Sequence, residues 1–320
     1  MITLADIRQT GERIAPYVRR TPLVANATLT RELGVAVFLK QELFQKTGCF
    51  KPRGAFNQIL AIPPEERHRG VVAVSGGNAA QGVAYASRVL GVRALICMPE
   101  TTPKNYINAT RGYGAEIDFA PNVTEAIARF EAFARQGWHA VHPFDSPYLM
   151  MGTGTIGLEI LEDLPEVTDV FVSIGGGGLI SGITTALKAL KPEVRMWGVE
   201  TAGSDTMGQA LKAGHVVHIT PRSLAKTLGS PYVAEAALAL MQKHLHQHVL
   251  VTDREAFDAE VFLLERAKLL TELAASCTLA AARKVKEQFE PDSRVVLLLC
   301  GGNASLDNLV EYRRLLAEAG

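Results

Sequence analysis

No charge of either sign predominates in this chain of 320 residues, where Lys plus Arg and Asp plus Glu number 33 each. That balance removes the broad field that draws a protein onto nucleic acid or an anionic membrane, so any phosphate bound here has to be held locally. Long apolar runs are also missing, and none reaches the length needed to span a bilayer. The opening MITLADIRQTGERI has the spacing of an amphipathic helix with Thr3 as its N-cap, and lacks a signal peptide's apolar core. Only four cysteines occur, Cys49, Cys97, Cys277 and Cys300, none at the paired spacing of a zinc site or redox motif. A reducing cytoplasm is the expected location. Low-complexity linkers and solenoid repeats are absent as well. The two domains that the length allows must therefore be joined by chain crossing back and forth.

What is present is alternation. Short apolar runs, VAVFLK (35–40), VVAVS (71–75), RALICM (93–98), EIDFA (116–120), DVFVSI (169–174), RMWGVE (195–200) and RVVLLLC (294–300), predict strands. Between them lie helical stretches such as NAAQGVAYASRVLG (78–91) and NVTEAIARFEAFARQG (122–137). Continuous Val/Ile/Leu strands alternating with helices predict an α/β fold of parallel sheets covered by helices on both faces.

Three of these strands run into glycine turns followed by helices: Gly76-Gly77-Asn78, Gly175-Gly176-Gly177-Gly178 and Gly301-Gly302-Asn303. Ligands of open α/β sheets bind outside the carboxyl ends of strands, so three such turns point to one shared site. In SIGGGGLISG (173–182) four successive glycines precede a helix, which lets backbone N–H groups approach an anion closely. No Lys-Ser/Thr follows them, so a single phosphomonoester suits the loop better than a nucleotide triphosphate.

Other motifs count for less. GTGTIG (152–157) has the dinucleotide spacing, yet HPFDSPYLMM, with two prolines, precedes it in place of a strand. HLHQH (244–248) is read as a solvated helix end, with a weak metal site as the alternative. The segment from Glu200 to Asp205 is either a source of oxygens for a cation or an ordinary polar loop. In GCFKPRGA (48–55), Lys51 stands beside Pro52 at the start of a helix, an end where a cation is disfavoured. It is a surface lysine or an amine placed to react. An amine, a phosphate cradle and two further polar strand ends are what pyridoxal phosphate requires.

With these motifs the chain resembles the fold-type II pyridoxal-phosphate enzymes over nearly its full length. It is most similar to the serine/threonine dehydratases, and within them to the liver-type L-serine dehydratases. GCFKPRGA resembles the family's lysine motif, SGGNAAQG its S-[AS]-G-N loop, SIGGGGL its phosphate loop and CGGNAS its segment at the pyridine nitrogen; VETAGSDTM and SLAKTLG are similar too.

The resemblance implies a fold like that of the tryptophan synthase β chain, with a discontinuous large domain (1–46 and 147–320) and a small one (47–146). It implies that Lys51 holds the cofactor as a Schiff base and removes the substrate's α proton. The backbone of Gly175, Gly176, Gly177, Gly178 and Leu179 would bind its phosphate. Asn78 would meet the ring hydroxyl, Phe50 a ring face, and Cys300 the pyridine nitrogen. Ser75, Gly76, Gly77, Asn78 and Ala79 would hold the substrate. Glu200 and Ser204 would serve a monovalent cation, potassium, because a second carboxylate used by divalent-ion members is Thr206 here. Glu272-Leu273-Ala274-Ala275 departs from the family's E-P-A-G or E-P-x-C, which weakens the case for Glu272. Gly76 stands where related serine racemases place a serine. The implied activity is deamination of L-serine or L-threonine, or of another β-hydroxy amino acid, by a homodimer without a regulatory domain. Alternatives are β-replacement as in cysteine or threonine synthesis, a pyridoxal-phosphate-binding protein without turnover, and a nicotinamide oxidoreductase.

Overall fold

A computed structural model describes residues 2–318. Ten strands are formed among the described residues: β1 (Leu23–Ala25), β2 (Ala36–Gln41), β3 (Val71–Val74), β4 (Ala94–Pro99), β5 (Glu116–Ala120), β6 (His139–Ala140), β7 (Asp169–Ser173), β8 (Arg195–Thr201), β9 (Leu245–Val251) and β10 (Arg294–Leu299). They make one sheet ordered β1-β2-β10-β7-β8-β9 and a second ordered β5-β4-β3-β6. Every pairing is parallel except that of β1 with β2. All seven predicted strands are present, and the central ones are buried on both faces, as their unbroken apolar sequences require.

The strands that pattern did not predict are short or polar. β9 contains most of HLHQH, so the expectation of a solvated helix end there is corrected. Only His244 closes the helix Glu235–His244, and the next residues pair with β8 at the sheet edge. His246 packs against the Trp197 ring, 4.5 Å between centroids, while His248 turns to Glu200. Among the described residues no three metal-ligating side chains are grouped to hold an ion. None of the described helices is long and apolar enough to cross a membrane. Thr3 does cap the first helix, Leu4–Ile14, in a capping box with Asp6.

GTGTIG lies wholly inside the helix Pro147–Asp163. Its glycines serve helix contact: a Cβ at Gly152 would strike the Arg53 carbonyl, and one at Gly157 would come within 2.9 Å of the Ala186 methyl. Gly182, on the helix Gly178–Leu190, lies equally tight against the Met150 carbonyl. These crossings bring the Lys51 helix (Lys51–Leu60) and the glycine-loop helix against the same long helix.

The Lys51 helix is further fixed by a buried charge cluster. Arg53 donates to both oxygens of Glu42, at 2.8 and 2.9 Å, and to both of Glu159, at 2.7 and 2.9 Å. Lys40 donates to Glu159 at 2.6 Å. Burial opposes the charge on Glu159, yet Arg53 and Lys40 outweigh it and hold the carboxyl below its usual range.

Candidate active site

The lysine motif is fastened to the third glycine turn. Cys49 bridges Gly301, and the Phe50 N–H donates to the Cys300 carbonyl at 3.1 Å. Lys51 is therefore presented at the start of its helix, with Pro52 next in the first turn, where a missing N–H costs nothing. Its Nζ donates to the Pro143 carbonyl at 2.7 Å and lies 5.0 Å from the Phe50 ring centroid. Burial pushes the amine down to about 8, against the opposing influence of Cys49, Cys300 and Glu272. The surface-lysine reading is excluded, because Lys51 lines a cavity of about 730 Å³.

All four glycines after β7, and Leu179, line that cavity. Gly177 takes φ of 92°, and the helix Gly178–Leu190 begins with no side-chain cap, so no side chain occupies its first-turn N–H groups. The loop is also walled in. Cβ atoms at Gly176 and Gly177 would run into the Phe144 ring and the Ala237 methyl. Glycine is needed here for space as well as for anion access.

Across the cavity, Ser75 Oγ accepts the Gly77 N–H at 3.1 Å, and Asn78 opens the helix Asn78–Leu90. Ala79, the next residue, is buried on the cavity wall. A Cβ at Gly76 would lie 2.6 Å from Thr102 Oγ1. Cys300 receives the Ser173 hydroxyl at 3.5 Å, and burial, helped by the nearby Glu272, pushes its thiol up to about 12. It is a neutral thiol.

Several residues on the cavity wall were underrated or missed. Glu272 is buried and accepts from Asn78, Thr227 and the Asn303 N–H. The altered residues after it hid its importance, although the glutamate itself was there to read. His142, Phe144 and Tyr232 gave no sequence signal. His142 Nδ1 accepts the Asp145 N–H at 2.8 Å, and its Nε2 lies 3.4 Å from the Tyr232 hydroxyl. Desolvation lowers its pKa below the ordinary histidine value, against the pull of Asp145.

Glu200 and Ser204 do not line this cavity. The Glu200 carboxylate is buried and accepts the Met207 N–H at 2.9 Å, the Gly208 N–H at 2.8 Å and His248 Nε2 at 2.8 Å. Ser204 Oγ is buried and has no hydrogen-bond partner among the described residues.

An amine, an uncapped helix start behind glycines, an aromatic neighbour and a neutral thiol share one cavity, and this donor set fits pyridoxal phosphate. Comparison with known proteins agrees. Residues 14–301 match the family described as pyridoxal-phosphate dependent enzyme. The chain is 39% identical over 312 residues to the L-threonine ammonia-lyase of Thermotoga maritima, covering 96% of this chain and 77% of that one. It is 38% identical to the catabolic L-threonine dehydratase of Staphylococcus aureus, covering 96% and 90%. The solved structure of maize serine racemase superposes with a TM-score of 0.92 at 31% identity, covering 99% of each chain. By its sequence, its sheets and the contents of its cavity, this chain belongs to the family of pyridoxal-phosphate dependent enzymes.

Proposed function

We propose that this protein deaminates small β-hydroxy amino acids, L-threonine and L-serine, to a 2-oxo acid and ammonia. The observation that carries the reading is the meeting of the Lys51 amine, the glycine-lined helix start and the neutral Cys300 thiol in one cavity. The names of its threonine ammonia-lyase and dehydratase relatives support it.

Pyridoxal phosphate, when bound, supplies the electron sink that acidifies the substrate's α hydrogen. Lys51 would hold it covalently, and the N–H groups of Gly175 through Leu179 would take its phosphate. Phe50 would cover a ring face, Asn78 would meet the ring hydroxyl, and Cys300 the ring nitrogen. The turn from Ser75 to Ala79 would grip the substrate carboxylate. Lys51 Nζ would be the base that takes the substrate's α hydrogen as a proton. Its amine, lowered to about 8, is partly neutral at physiological pH, as that role requires. A neutral thiol at Cys300 supplies no negative charge to keep the ring nitrogen protonated, which favours loss of the β-hydroxyl over transamination.

The reading includes a homodimer in the cytoplasm, with residues 1–46 and 147–320 as the large domain and 47–146 as the small one. A potassium ion beside Ser204 belongs to it as well, supported by a buried Ser204 hydroxyl that has no partner among the described residues. Glu200, already holding three donors, would contribute less than its carboxylate promised. Activity that persists when a bulky organic cation replaces potassium would remove the ion from the account.

Purified protein with L-threonine or L-serine should release 2-oxo acid and ammonia in equal amounts. Consumption of the amino acid only when an external thiol is present would instead assign β-replacement.

A further inference from the structure

Asn78 has two unlike ends, an oxygen that only accepts and a nitrogen that only donates, so its direction decides what it offers a ligand. Here the direction can be traced to a backbone carbonyl. Asn303 Nδ2 donates to the Thr47 carbonyl at 2.8 Å, and a carbonyl can only accept, which fixes Asn303. The same nitrogen donates to Asn78 Oδ1 at 2.7 Å, which fixes Asn78. At its other end Asn78 Nδ2 donates to the two oxygens of Glu272 at 2.9 and 3.0 Å, in agreement with that assignment. Glu272 is itself held by Thr227 Oγ1 at 2.8 Å and the Asn303 N–H at 3.0 Å.

Two motif glycines make room for this relay. A Cβ at Gly48 would lie 2.5 Å from Asn303 Oδ1, and one at Gly301 would lie 2.6 Å from Glu272 Oε1. Of the two Asn78 amide hydrogens, Glu272 takes one, shared between its oxygens, and the other is left over.

Resting on the function proposed above, we propose that Asn303 and Glu272 are positioning residues that fix the Asn78 amide. They ensure that its remaining N–H hydrogen, and not its oxygen, is offered to the ring hydroxyl oxygen of bound pyridoxal phosphate. A donor there stabilises an ionised ring hydroxyl; a reversed amide would set oxygen against oxygen.

Glu272→Ala removes the acceptor of the Asn78 N–H, and Asn303→Asp sets an oxygen against both the Asn78 oxygen and the Thr47 carbonyl, so each releases one end of the amide. Glu272→Gln is the conservative contrast, because its side-chain oxygen still accepts from Asn78 Nδ2. Glu272→Ala and Asn303→Asp should each bind pyridoxal phosphate at least tenfold more weakly, by equilibrium dialysis, and shift the bound cofactor's absorption maximum, while Glu272→Gln stays near the parent in both. If Asn303→Asp does not fold, Asn303→Ala removes the same donor without adding charge and carries the same expectation. Glu272→Ala or Asn303→Asp with the parent's affinity and absorption would overturn the proposal. So would a Glu272→Gln variant as weakened and shifted as Glu272→Ala, since the charge of the carboxylate and not the direction of the amide would then be acting. Failure of the underlying functional reading looks different: Lys51→Ala would keep the parent's covalent absorption band.

Discussion

Burial sets the chemistry of Lys51, and two of its consequences are measurable. Lys51→Ala should lose the covalent absorption band and multiple turnover while the glycine loop still binds the cofactor; an active variant with the parent's band would remove Lys51 from the reaction. Its amine, moved from 10.5 to about 8, also links stability to pH. Between those values the unfolded chain binds the proton that the folded chain has lost, so stability rises with pH across this window and the contribution is constant below it. In cofactor-free protein, the urea midpoint of the parent relative to Lys51→Ala should therefore climb between pH 8 and 10.5. A difference that is flat or falling there would contradict a desolvated amine. Gly76 carries a second residue-scale prediction. Its likeness to a serine racemase fold does not supply an acid here, because Gly76 has no side chain, and a Cβ would meet Thr102 Oγ1 at 2.6 Å. The parent should form no D-serine from L-serine. Gly76→Ser alone should only slow elimination, and D-serine should appear once Thr102→Ala makes room. Chiral chromatography that finds D-serine from the parent would refute this.

At the scale of elements, the glycine loop and its helix were legible because their sequence combined an apolar strand, unusual glycine density and a helical stretch. What periodicity could not reveal was what stands opposite. Phe144, pressed against Gly176, lies after β6, a two-residue strand too short for any alternation to show. Likewise β9 escaped because an edge strand tolerates His and Gln, so its polar residues read as a helix end. The steric wall makes a prediction that separates cradle glycines from ordinary ones. Gly176→Ala must push Phe144 aside, and overpacking of this kind costs about 1–3 kcal/mol and should lower cofactor affinity at least tenfold. Gly112, at the end of the helix Lys104–Gly112, has nothing within 4 Å of a built Cβ. Gly112→Ala should be neutral or stabilise by up to about 1 kcal/mol. Calorimetry and cofactor titration on both variants check the contrast, and equal effects would mean that the wall at Phe144 yields freely.

Across the whole molecule, the cavity depends on two sheets being held in one relation, and little of that hold was visible in the sequence. The strand order places β10 between β2 and β7, so the turns that carry Gly175 and Cys300 end side by side. Parallel strands predicted such a convergence but not which strands would be neighbours. The charge cluster under the Lys51 helix was silent for another reason: Lys40, Glu42, Arg53 and Glu159 are scattered, and each alone reads as a surface residue. Folded, they are at most 9% exposed, and they join β2, the turn after it, the Lys51 helix and the long helix Pro147–Asp163. Two cations and two carboxylates balance, so the cluster is tolerable only when complete. Arg53→Met keeps much of the volume but leaves Glu42 without a cation and Glu159 with Lys40 alone. Breaking a buried pair in this way costs about 3–5 kcal/mol. The urea midpoint should fall accordingly in cofactor-free protein at a fixed pH, where no covalent link at Lys51 contributes. Because Arg53 anchors the helix that presents Lys51, cofactor affinity should fall as well. Arg53→Met with the parent's midpoint would mean that water enters and solvates the two carboxylates, and that packing between the helices, not the charge cluster, sets the position of Lys51.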